Sequence, residues 1–223
     1  MRSREVRSSP PPGGHCVTDI VLDPSCFLGI CASAIEAYNR ETNGFLLGGR
    51  GVRRVRHPRS VAVLKAAYPI QTEERRPSSV THGNLNAFDR ARRTVSGLYV
   101  GLDLMGGFHS HTGTDGAAEL SPSDLEYIED ELNHLARQGE KRPDWLELVV
   151  AIRKRAYARR HDVAWSFRRY PRKLGATIAI KPSLGYDVTI AGYWVPVEPN
   201  GGGIVHVGRP EEARLGIPWA DRI

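Results

Sequence analysis

Apolar positions change period along the chain, and each change predicts an element. Residues 16–22 form a short apolar run. Asp23-Pro24 then supplies a helix cap and a proline whose fixed φ suits a first turn, after which Phe27, Ile30, Ala34 and Tyr38 recur at helical spacing. This predicts a strand leading into an amphipathic helix. Residues 44–49 and 61–67 are short apolar runs bounded by turn formers, the second ending at Tyr68-Pro69, and they predict neighbouring strands of one sheet. Leu85, Phe88, Arg92 and Val95 share one face of a helix over residues 85–97. Residues 98–108 (LYVGLDLMGGF) are apolar, rich in glycine and too short for a buried helix, which predicts a strand that delivers His109 and His111 at its end. Ser121-Pro-Ser-Asp124 opens a third helix, with Leu125, Ile128, Leu132 and Leu135 on one face, running to near Gly139. Residues 145–152, 163–170, 176–180 and 188–197 read as strands, and the chain after the glycine turn at 201–203 reads as irregular. No internal repeat is visible.

Composition narrows the architecture. The 223 residues are 40% hydrophobic and 25% charged, enough for one core of an ordinary globular domain. The expected fold class is therefore α/β, a single domain over residues 15–223 in which helices flank a curved mixed β-sheet. Residues 1–14, mostly Arg, Ser, Pro and Gly with little to bury, are expected to be a flexible N-terminal tail. No run of about 18 apolar residues and no apolar leader segment occur, so the expected location is cytoplasmic, without a membrane partner. Three cysteines, Cys16, Cys26 and Cys31, are odd in number and lack a Cys-x-x-Cys spacing, which predicts small core hydrophobes rather than a disulfide framework or a sulfur metal site.

The chemistry concentrates around two histidines. In an extended segment residues i and i+2 point to the same face, so His109 and His111 can converge on one ion while Ser110 points away. Catalytic zinc takes about three protein ligands and keeps a position for water, and Asp124 in the first turn of the next helix can complete such a set. Each part also has a plainer reading. A histidine pair is often an exposed or hydrogen-bonded feature, and Ser121-x-x-Asp124 is a good capping pattern that stands with or without a metal.

Together, His109-Ser-His111, nine residues and Ser121-x-x-Asp124 resemble the JAMM motif of the MPN-type zinc metalloproteases, in their prokaryotic form. An upstream half agrees: Glu41-Thr-Asn-Gly44-Phe-Leu46-Leu-Gly48 is similar to the family's glutamate followed by a Gly-x-Leu-x-Gly-like strand. The likeness runs more loosely over residues 16–150, where residues 67–72 (AYPIQT) look like the segment between the two halves. The nine-residue spacer is longer than is usual in the family, and Thr112 stands where a proline is usual.

The resemblance implies an MPN-type domain of cytidine-deaminase-like architecture, with zinc held by His109, His111 and Asp124. It makes Glu41 the general base for the metal's water and Ser121 a donor to the tetrahedral oxyanion. It also implies hydrolysis of an amide at the C-terminus of a ubiquitin-like protein, a small modifier or a sulfur carrier. The long spacer brings in Asp115 and Glu119 as lesser candidates for approaching the metal.

The net charge of +6 leaves open an acidic partner. Residues 153–173 carry nine basic residues, one acid (Asp162) and the aromatics Tyr157, Trp165, Phe167 and Tyr170, a mixture suited to nucleic acid or to an acidic protein face. Val163-Ala-Trp165-Ser-Phe167 also alternates as a strand would, with the aromatics in the core. A non-catalytic MPN-type scaffold is the other alternative.

Overall fold

The computed structural model describes residues 16–53, 59–70, 74–75, 80–81, 85–98, 101–112, 117–140, 142–156, 165–169, 172–181, 183–200 and 204–219. The tail over residues 1–14, Asp115, Asp162 and the side chains of all four aromatics in the basic stretch lie outside the described residues.

In chain order the elements are β1 (Asp19–Leu22), α1 (Pro24–Glu36), β2 (Asn43–Arg53), β3 (Arg59–Pro69), a two-stranded pair β4 (Glu74–Arg75) and β5 (Val80–Thr81), α2 (Leu85–Leu98) and β6 (Asp103–Thr112). There follow α3 (Pro122–Arg137), β7 (Asp144–Arg155), β8 (Trp165–Arg169), β9 (Lys173–Lys181), β10 (Leu184–Asn200), β11 (Ile204–Val207) and β12 (Glu211–Gly216). The local signals behind the helices hold. Asp23 caps α1 by accepting from the Ser25 N–H at 3.3 Å, with Pro24 in the first turn. Leu98, expected to start a strand, instead ends α2, and Gly101 at φ +88° turns the chain into β6.

The expected α/β class, a curved mixed sheet flanked by helices in an MPN-type, cytidine-deaminase-like architecture, is corrected by the strand pairing. The strands run β12-β1-β3-β2-β6-β7-β10, and β12 also pairs with β10, so seven strands close into a barrel. The described chain is mostly β, with three helices. Closure depends on the stretch expected to be irregular. β12 pairs in parallel with β1 and antiparallel with Gly192, Tyr193 and Trp194 of β10. Its sequence, Glu-Glu-Ala-Arg-Leu-Gly, shows no alternation because Ala213 is its one fully buried residue. It is a strand because β1 and β10 each present an edge of backbone donors and acceptors that needs a partner. β10 is long enough to serve four neighbours, and β9 and β8 extend the sheet beyond it.

Alternate residues of β7 divide the interior. Leu146, Leu148, Val150 and Ile152 enter the main core with Ile20, Leu64, Phe108, Val188 and Ile190, and α1 adds Cys26, Phe27, Ile30 and Cys31. Cys26 and Cys31 are thus buried free thiols. On the opposite face, Trp145 joins Phe45, Leu47 and Leu104 under Ile128, Leu132 and Leu135 of α3. Because both faces of β7 are covered, its sequence reads as a nearly continuous apolar run.

β6 reaches β7 through two glycines. A Cβ on Gly106 would lie 1.8 Å from the Leu146 carbonyl oxygen. Gly106→Ala is expected to cost about 4 kcal/mol or more, the range of a forced backbone clash, measured as a lowered urea midpoint. An unchanged midpoint would contradict the close approach.

Candidate metal centre

The outer face of β6 carries His109 and His111, and α3 brings Asp124 over them. The Nε2 atoms of the two histidines are 3.1 Å apart, and each lies 3.6 Å from an Asp124 carboxylate oxygen. The three donors gather within 4.8 Å, a group suited to a metal ion. Four-coordinate zinc with ligand bonds near 2.1 Å places neighbouring donor atoms about 3.4 Å apart, so the donor set fits that ion.

Asp124 is held by the helix start. Ser121 is the N-cap of α3: its Oγ accepts from the Asp124 N–H at 3.2 Å, while its own N–H donates to Asp124 Oδ2 at 2.7 Å. The cap and the metal reading therefore coexist, since this box orients the carboxylate. Ser121 Oγ also shares a proton with Ser123 Oγ at 2.8 Å. Burial works against the charged form of Asp124, but both histidines and the Ser121 N–H outweigh it and hold the carboxyl well below the usual range.

Glu41 arrives from the other side. β2 and β6 are antiparallel with Asn43 opposite His109, and the pairing continues as Ser110 N–H donates to the Thr42 carbonyl at 2.7 Å. Ser110 Oγ also accepts from the Thr42 N–H at 3.0 Å. Carried one residue further, the register sets Glu41 opposite His111, on the face of the histidine pair. Burial raises the Glu41 pKa, opposed by the positive charge available on His111 and His109 and reinforced by Asp124. A raised carboxyl pKa suits a group that must take up a proton.

Two residues that build the site escape the sequence reading. Ser110 points away from the ion, as expected, but it locks the segment that carries Glu41. Glu147 of β7 is buried, and its Oε1 lies 2.8 Å from His109 Nδ1 while its Oε2 accepts from the Trp145 indole N–H at 2.8 Å. Its signal was available: a lone acid inside the apolar run Trp-Leu-Glu-Leu-Val-Val-Ala-Ile is tolerated only where it is paired. Glu119 stands apart from the cluster, exposed and paired with Lys173 at 3.3 Å.

Burial disfavours a charged His109, but Asp124 and Glu147 overcome this and raise its pKa from 6.5 to about 10. A raised folded-state pKa gives stability that is complete below pH 6.5 and is lost as pH rises toward 10. The metal-free protein is therefore expected to melt at progressively lower temperature across that window, and His109→Ala should flatten this component of the profile. Metal must displace the same proton, so zinc affinity should climb through the window by up to about tenfold per pH unit. A pH-independent affinity would contradict this coupling.

No helix among the described residues is long and apolar enough to cross a membrane. No protein-family profile matches the chain, and no curated protein matches it. Among solved structures, the solution structure of protein DSY2949 from Desulfitobacterium hafniense, a structural genomics target, is similar at 18% identity over 89% of this chain and 93% of that one, with a TM-score of 0.43.

Proposed function

We propose that the chain is a zinc-dependent peptidase or isopeptidase that hydrolyses the amide at the C-terminus of a ubiquitin-like protein, a small modifier or a sulfur carrier. The observation that carries this reading is the convergence of His109, His111 and Asp124 with Glu41 set beside them by strand register. The substrate class rests on the resemblance to JAMM-type enzymes in the two sequence motifs, and a cytoplasmic location belongs to the same proposal.

Bound zinc would polarise the scissile carbonyl and bring the acidity of a coordinated water near pH 7. Glu41 takes the proton from the attacking water and returns it to the leaving amine, a task for which its raised pKa is suited. Ser121 accepts the Asp124 N–H on its oxygen, and its own proton, shared with Ser123, is the group that would turn toward the developing oxyanion. His109 and His111 would hold the ion, and Asp124 would add the negative charge that stabilises it.

Binding of nucleic acid through residues 153–173 draws less support. Arg153 and Arg155 pair with Asp187 at 3.2 and 3.3 Å, and Lys173 pairs with Glu119, so part of that charge is already compensated. A non-catalytic scaffold would not require Glu41 next to a complete ligand set.

Purified protein is expected to hold one zinc, and His109→Ala or His111→Ala to lose it by elemental analysis. Glu41→Gln should keep the zinc and cleave ubiquitin-like fusions of the host about 100-fold or more slowly than wild type. Cleavage that survives a chelator, or that is unaltered in Glu41→Gln, would overturn the proposed mechanism.

A further inference from the structure

Glu147 is a buried acid on an otherwise apolar strand, and both of its oxygens are committed. We propose that Trp145 and Glu147 act together as positioning residues that fix the tautomer of His109, and so determine which of its nitrogens is offered to the metal. This rests on the zinc reading above.

The chemistry of the three groups leaves one arrangement. The indole N–H is a donor only, so Trp145 claims Glu147 Oε2 as its acceptor at 2.8 Å. The other oxygen, Oε1, faces His109 Nδ1 at 2.8 Å, and an ionised carboxylate can only accept. Nδ1 therefore carries the ring proton. The lone pair of the neutral ring is left on Nε2, the atom that faces His111 and Asp124.

A second feature shows that the space for this relay is built in. Gly107 sits beside Glu147 in the parallel β6–β7 register, and a Cβ there would lie 2.9 Å from Glu147 Oε2 and 3.3 Å from the Trp145 ring. A side chain at position 107 would push the acid and the indole away from the histidine.

Glu147→Gln tests the idea because it preserves shape and leaves one acceptor where two are needed. The Trp145 N–H takes the amide oxygen, which turns the amide NH2 toward His109 Nδ1. Nδ1 must then accept, the ring proton moves to Nε2, and the ligand lone pair is lost. Zinc affinity of the full chain, measured with Zn2+ against a competing chelator, is expected to fall about 10- to 100-fold.

Adding Trp145→Phe removes the competing donor, so the glutamine oxygen can turn to Nδ1–H. The double variant should bind zinc more tightly than Glu147→Gln alone, whereas a merely structural role predicts weaker binding. Gly107→Ala, which displaces the relay without changing its charge, should weaken zinc binding in the same direction and serves if the glutamine variant does not fold. Wild-type affinity in Glu147→Gln or in Gly107→Ala, or no recovery in the double variant, overturns the relay while leaving the zinc site standing. A wild-type chain that takes up no zinc overturns both.

Discussion

β7 can lie against β6 at the depth it does because two consecutive β6 residues lack side chains. The Leu146 carbonyl fills the place of a Cβ on Gly106, and on the opposite face Glu147 and Trp145 fill the place beside Gly107. The parallel register that results sets Gly107 against Glu147 and His109 against Val149, so the glutamate reaches forward along the strand to the imidazole. The antiparallel register on the other flank of β6 places Glu41 beside His111. One strand thus receives Glu41 from its first neighbour, a buried acid from its second, and Asp124 from the helix packed over its outer face. A shift of one residue in either pairing would turn the histidines to the opposite face and separate all of these groups.

The same geometry explains the charge balance. Two imidazoles sit among three carboxylates, Glu41, Asp124 and Glu147, in a partly dehydrated setting where unpaired charge is costly. In the metal-free protein His109 answers by retaining its proton, which is why its pKa stands near 10. A dication at the meeting point of His109, His111 and Asp124 would supply that positive charge instead, and the Nδ1–H directed at Glu147 would be unaffected by the exchange. The α3 N-terminus adds its own partial positive charge beside Asp124, reinforced by the Ser121 N–H. At another position on the barrel the buried carboxylate of Asp144 is matched by Arg50 and the Trp194 indole N–H, a pairing already complete without any ion.

Features written within a few residues were legible before folding. The Asp23-Pro24 cap, the Ser121-to-Asp124 capping box, the apolar stripe of α3 and the unbroken apolar run of β7 depend on local backbone chemistry or on simple burial. The histidine pair was legible for the same reason, since i and i+2 share a strand face whatever the fold. Glu147 was harder to interpret. Its place in an apolar run required a partner, but no local rule identified His109, which lies 38 residues earlier in the chain.

Spacing alone offered His109, His111 and Asp124 as metal-ligand candidates, together with the helices that frame them, whereas Glu41 became a base candidate only through the resemblance to JAMM-type sequences. Only the folded chain decided that the sheet closes. The closing strand, Glu211–Gly216, is charged at half of its positions without alternation and becomes a strand because the edges of β1 and β10 demand backbone partners. Tertiary pairing likewise decided which acid reaches the inner nitrogen of His109 and on which side Glu41 stands. Strand register is a property of two segments at once, and neither segment carries it by itself.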